Sequence, residues 1–163
     1  MSEDAKLILV DTNVWLDYFI PNRAGRADAI AFLRGACEAG ADLLYAAASS
    51  KDLFYLIASE HKAWFRREHG ELTHEAASAA TGLAWDCLEN LSELATPVGC
   101  DLSDIWLAKK HRALHSDYED DLVIAAALRA KVDLLVTNDA ALCSHAPVAA
   151  MGVVDALGYL ETL

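Results

Sequence analysis

Leu7-Ile8-Leu9-Val10-Asp11-Thr12-Asn13 is an apolar run that stops abruptly at a carboxylate, and Asp133-Leu134-Leu135-Val136-Thr137-Asn138-Asp139 repeats the pattern near the other end of the chain. Short, continuous, β-rich runs of this kind read as strands buried on both faces, as in a parallel sheet. In an open parallel sheet ligands bind in the crevice beyond the carboxyl ends of the strands, so two strands ending in aspartate put negative charge there. Clustered carboxylates repel one another unless a cation joins them. The pattern therefore points to divalent-metal chemistry.

Working outward from these runs, strands are expected over residues 6–11, 42–47 and 134–137, with a short strand or connector at 96–99 and a weak strand near Val148. The spacing predicts helices through Val14 to Tyr18, over 26–39, and from a Ser49 or Ser50 cap towards His69 with Leu53, Phe54, Leu56 and Ile57 as the core stripe. Further helices are expected from Thr73 to about Leu91, over 101–114 with Asp101 or Ser103 as cap, over 116–131, and from about Asp155. Gly40 and Gly70 read as breaks. Strands alternating with helices imply an α/β fold, a three-layer α/β/α sandwich around a central, mainly parallel sheet. At 163 residues, with no linker or repeat, the expectation is a single domain over 1–163.

A hydrophobic fraction of 55% supports a compact globule and argues against disorder. No apolar stretch approaches the roughly 20 residues a membrane helix needs, and Met1-Ser2-Glu3-Asp4 is acidic where a secretory signal is basic. The expectation is a soluble, cytoplasmic protein with no membrane partner. Cys37, Cys87, Cys100 and Cys143 lack the paired spacing of a zinc site and read mostly as small buried hydrophobes rather than disulfides. A net charge of −12 is awkward for a nucleic-acid binder, because phosphates are met by lysine and arginine. Lys62-Ala63-Trp64-Phe65-Arg66-Arg67 nonetheless forms a basic strip, with Lys51 nearby, so Lys62, Arg66 and Arg67 are candidate contacts for RNA.

Four acidic positions carry the chemistry: Asp11, Asp52, Asp120 and Asp139. Alone, Asp11 and Asp139 read as turn residues and Asp52 as a first-turn acid matched to its helix dipole. Asp117-Tyr118-Glu119-Asp120-Asp121 holds four acids in five residues, more than a helix start requires. Magnesium and manganese take oxygen ligands, keep several waters and bind a few carboxylates together with substrate phosphate. Such an ion lowers the pKa of a bound water and neutralises charge on a phosphodiester under attack. His111 and His115 share one helix face, but with no further His or Cys beside them they read as part of an exposed helix end.

Val10-Asp11-Thr12-Asn13-Val14-Trp15-Leu16-Asp17, with Asp117-Tyr118-Glu119-Asp120 running on through Ala125-Ala126-Ala127-Leu128 to Leu135-Val136-Thr137-Asn138-Asp139, resembles the PIN-domain family of metal-dependent ribonucleases, which includes the VapC-type toxins of toxin–antitoxin pairs. The resemblance extends over nearly the whole chain. It implies an endoribonuclease dependent on Mg²⁺ or Mn²⁺, with RNA as substrate, a small antitoxin as possible partner, and a homodimer. It implies Asp11, Asp120 and Asp139 as metal ligands, with Asp120 selected by the spacing back from Thr137 in the subgroup that shares the Asp-Tyr-Glu-Asp signature and Asp121 by the other common spacing, and Asp52 as the fourth catalytic residue where the family has a glutamate. Asn13, Asp121, Thr137 and Asn138 are implied as supporting residues around the ligands. The alternative is a weakened or inactive PIN scaffold that binds RNA or protein. A strand-end aspartate also resembles the haloacid dehalogenase phosphohydrolases, but those need a second aspartate two positions on, where Asn13 stands.

Overall fold

The computed structural model describes residues 5–112 and 117–162. His115 and the Met1-Ser2-Glu3-Asp4 segment lie outside the described residues. In chain order the elements are β1 (Leu7–Val10), α1 (Thr12–Phe19), α2 (Arg26–Glu38), β2 (Asp42–Ala46), α3 (Ser49–His69), α4 (His74–Leu94), β3 (Thr96–Val98), α5 (Leu102–His111), α6 (Tyr118–Ala130), β4 (Leu134–Val136), α7 (Ala140–His145), β5 (Ala150–Met151) and α8 (Val153–Leu160).

The five strands form one parallel sheet in the order β3-β2-β1-β4-β5. Successive side chains of a strand point to opposite faces, and the two faces bury separate cores. Ile8, Val10, Leu43, Tyr45, Leu134 and Val136 pack with residues of α1, α2, α3, α4 and α8. Leu9, Leu44, Ala46 and Leu135 pack instead with Val123, Ile124, Ala127 and Leu142 from α6 and α7. The architecture is thus the expected three-layer sandwich. Trp15 locks α1 to the sheet: its ring is fully buried, and its indole N–H donates to the Val10 carbonyl at 3.1 Å, so no polar group is stranded.

The strand order reverses between β1 and β4, which makes their carboxyl ends the topological switch point of the sheet. Val10 is in register with Val136, so Asp11 and Thr137, the next residues on each strand, emerge side by side.

Several details differ from the expectations. Helix α7 is not foreshadowed by any apolar period, since only Leu142 of its six residues is buried; the Asp139 cap starts it. The last strand lies at Ala150–Met151 rather than at Val148, and the last helix starts at Val153. No serine side chain caps α3, because Ser50 Oγ donates to the Ala47 carbonyl instead of receiving an N–H. Leu56 is exposed, because the buried stripe of that helix follows the one-turn step from Leu53 to Ile57 and Ala58. The cysteines are free thiols, and none is fully buried: Cys37 and Cys100 are exposed on the surface, Cys87 and Cys143 half-buried. Among the described residues no helix is long and apolar enough to cross a membrane.

Candidate active site

Asp11 occupies the turn from β1 into α1, extended enough to cap the helix with its own side chain. Its backbone N–H donates to the Val136 carbonyl at 3.0 Å and so carries the β1–β4 ladder one residue past the strand ends. The carboxylate is only 4% exposed. Oδ1 accepts from the Thr12 N–H at 2.6 Å, while Oδ2 accepts from Asn13 Nδ2 at 2.7 Å and from Thr137 Oγ1 at 2.6 Å.

Thr137 and Asn13 knit this group to the end of β4. Thr137, fully buried, also accepts from Asn13 Nδ2 and from the Asp139 N–H, each at 3.0 Å. The Asn138 N–H donates to Asn13 Oδ1 at 3.0 Å, and Asn138 Nδ2 donates to Asp17 Oδ2 at 3.0 Å. Arg23 Nε completes the chain of contacts by donating to Asp17 Oδ1 at 2.5 Å. Gly25 leaves room for this pair, since a Cβ there would lie 2.8 Å from Asp17 Cγ. Asp139 itself caps α7, its Oδ1 accepting from the N–H groups of Ala141 at 2.7 Å and Leu142 at 2.9 Å.

The amino end of α6 brings the acidic run to the same edge. Asp117 caps that helix through the Glu119 N–H. Thr12 Oγ1 donates to Glu119 Oε1 at 3.2 Å, which ties α6 to α1. Half-buried Asp52, in the first turn of α3, faces Glu119 across a cavity of about 380 Å³ that Lys51 and Tyr118 also line. Asp120 is half-buried, whereas Asp121 is turned into the protein.

The electrostatics report the same convergence. Burial, as the largest cause, pushes the Asp11 carboxyl up to about 6; the Thr137 and Thr12 hydrogen bonds pull it back, and the Asp120 and Glu119 charges add to the rise. Glu119 is raised first by burial and then by the charge of Asp52, against the Thr12 hydrogen bond, with smaller contributions from Asp117 and Asp120. The Cys143 thiol is raised by burial and then by Asp139, Asp155 and Asp11, so the charges of Asp11 and Asp139 reach a common neighbour.

The structure thus brings Asp11, Asn13, Thr137, Asn138 and Asp139 into one bonded network. Asp120, and Asp52 through Glu119, join it electrostatically. It does not bring Lys62, Arg66 and Arg67 there. They lie 10 to 15 residues beyond Asp52 on α3, about 15–22 Å along the helix axis, where Arg67 lines a separate cavity with Ile20, His61 and Trp64. The residue that motif reading missed is Glu119, whose hydrogen bond from Thr12 and charge interaction with Asp52 cross between helices remote in sequence. Its only signal was membership of the acidic run.

Among the described residues no group of three or more His, Cys, Asp or Glu side chains stands at metal-holding spacing. The donor chemistry nonetheless fits a hard divalent cation, because carboxylates dominate this edge, and a cation offsets both the burial that chiefly raises Asp11 and the smaller repulsion from Asp120 and Glu119.

A three-layer parallel sandwich with an acidic site at the switch point of its sheet is the class these features define. The chain belongs to the PIN-domain family, whose members are generally nucleases and typically use divalent metals: the PIN domain matches it over residues 7–141. The fold is similar to that in the crystal structure of VapBC2 from Rickettsia felis bound to a DNA fragment from their promoter, with a TM-score of 0.60 at 10% identity, covering 90% of this chain and 98% of that one. It is also similar to the crystal structure of FitAcB from Neisseria gonorrhoeae, with a TM-score of 0.62 at 18% identity and the same coverage of 90% and 98%. No curated protein matches the sequence significantly.

Proposed function

We propose that this protein is a cytoplasmic endoribonuclease dependent on Mg²⁺ or Mn²⁺, acting as the toxin of a toxin–antitoxin pair and working as a homodimer. The observation that carries the nuclease reading is the Asp11 carboxylate, buried and held in place at the sheet's switch point, with Asp120, Glu119 and Asp52 crowding the same edge. Membership of the PIN family supports the reaction class. The likeness of fold to VapBC2 and FitAcB supports a small antitoxin as the partner that blocks the site.

In this reading Asp11, Asp120 and Asp139 hold the cation. When bound, it supplies a water of lowered pKa and neutralises charge on the phosphodiester. Thr137 and Asn13 fix the Asp11 rotamer, and Asn138 extends that support to Asp17. Asp121 supports Asp120 from inside α6. Asp52 orients the attacking water, and Glu119 beside it, its affinity for a proton raised by burial, accepts the proton that water gives up. The glutamate that the family pattern has where this chain carries Asp52 is in this way supplied from another helix.

The test is cleavage of a single-stranded RNA by the purified protein with EDTA, with Mg²⁺ and with Mn²⁺, followed on a denaturing gel. Cleavage only with an added ion is the expected result. Cleavage undiminished in EDTA contradicts the metal role, and RNA bound but left intact under every condition returns the protein to the scaffold reading.

A further inference from the structure

We propose that the exposed face of α5 is the surface on which single-stranded RNA is gripped beside the carboxylate site, with Trp106 stacking a base and Lys109, Lys110 and Arg112 meeting the backbone. The inference rests on the nuclease reading above and names the substrate-holding surface it lacks.

Helix α5 packs on α6, fully burying Asp104 and Ala108 and half-burying Leu107 and His111, and leaves Leu102, Ser103, Ile105, Trp106, Lys109 and Lys110 exposed. Trp106 is 62% exposed and Leu102 80%, both far from the burial such side chains ordinarily have. One turn after Trp106, Lys110 Nζ lies 5.7 Å from the centre of the indole ring, which sets a cation against an aromatic face in the open. Lys109, Lys110 and Arg112 stand within four positions in a chain of net charge −12. Aromatic faces interleaved with cations are what single-stranded nucleic acid needs: the rings stack bases of any sequence while the cations track the phosphates.

The direction of α5 puts this cluster at the right end of the molecule. Arg129, in the last turn of α6, bonds Asp104 at 2.6 Å and Asp101 at 3.1 Å at the start of α5, so the two helices run antiparallel. The basic end of α5 therefore meets the amino end of α6, where Glu119 and Asp120 face the site. Chain length agrees, since Arg112 precedes Asp117 by five residues and lies within about 18 Å of it. Between them and Asp52 opens the 380 Å³ cavity, with Tyr118, 57% exposed, as a second ring on the way to the carboxylates.

The probe is a fluorescein-labelled, mixed-sequence 12-nucleotide single-stranded RNA, measured by anisotropy at several salt concentrations with Mg²⁺ in an Asp11→Asn background, so that it is bound and not cut. Trp106→Ala is expected to weaken binding roughly 5- to 100-fold, and Trp106→Phe to restore most of it. The triple variant Lys109→Ala, Lys110→Ala, Arg112→Ala is expected to weaken it more than about 10-fold and to reduce the slope of log affinity against log salt by about 2. Circular dichroism shows whether each variant is folded. Parent-like affinity and salt slope in both α5 variants, with the unsubstituted protein still cleaving RNA, overturns the α5 surface and leaves the nuclease reading standing. Loss confined to an Arg66→Ala, Arg67→Ala variant does the same and moves the grip to α3. A change of mass in light scattering on Trp106→Ala with RNA affinity intact also overturns it, by assigning the face to a second copy. An unsubstituted protein that neither binds nor cuts RNA overturns both proposals.

Discussion

Replacing Asp11 with asparagine is expected to lower RNA cleavage by roughly 10³-fold, the equivalent of several kcal/mol of lost charge stabilisation, while the protein stays folded. Asparagine keeps the shape and can still accept the Thr12 N–H, so the turn into α1 survives. What disappears is a buried negative charge, and its loss has a signature in stability as well as in activity. Because the folded-state pKa, about 6, lies above the ordinary carboxylate value near 4, the folded protein holds the extra proton more tightly. The stability that proton contributes is fully present below about pH 4 and is lost as pH rises through 6. A shift of this size corresponds to about 2–3 kcal/mol. In EDTA, the melting temperature of the parent should therefore fall between pH 4 and pH 6 more steeply than that of Asp11→Asn. Parallel melting profiles would show that Asp11 is not the strained group of the site, and an undiminished cleavage rate would remove it from the chemistry.

The second large effect is expected at Thr137. Valine preserves its shape and deletes one buried hydroxyl that donates to Asp11 and accepts from Asn13 and the Asp139 N–H. Asp11 Oδ2 and Asn13 Nδ2 keep their bond to each other, whereas the Asp139 N–H loses its acceptor, so Thr137→Val should lose about 1–3 kcal/mol in urea denaturation. Thr137→Ser, which keeps the hydroxyl, should lose much less. Because the Thr137 hydrogen bond holds the Asp11 pKa down, the valine variant should also push that carboxyl above 6 and move the stability loss to higher pH. A valine variant as stable as the serine one would mean that the network does not depend on this oxygen.

The two apolar runs that end at Asp11 and Thr137 made the sheet and its functional edge legible, because a buried strand must be continuous in sequence and its end must be polar. The family resemblance rested on those same runs and on the acidic start of α6. Contacts made across elements were not legible. Thr12 and Glu119 are 107 positions apart, and nothing in either neighbourhood says that one will donate to the other. The chain from Asn138 through Asp17 to Arg23 was hidden for the same reason, as was the room that Gly25 leaves for it. The basic strip read from Lys62, Arg66 and Arg67 was a true cluster in sequence, but a 21-residue helix carries it away from the edge. In α5, by contrast, the antiparallel packing set by Arg129 returns Lys109, Lys110 and Arg112 to it. The cysteines went astray because apolar neighbours in sequence do not determine which face of a helix a small side chain occupies.

The claim on which the rest depends is that these carboxylates hold a divalent cation, and calorimetric titration of Mn²⁺ into the purified protein tests it most directly. Saturable binding is the predicted result, abolished in Asp11→Asn and weakened more by Asp120→Asn than by Asp121→Asn. Binding that survives Asp11→Asn unchanged, or a greater loss at Asp121 than at Asp120, would contradict the site as assigned.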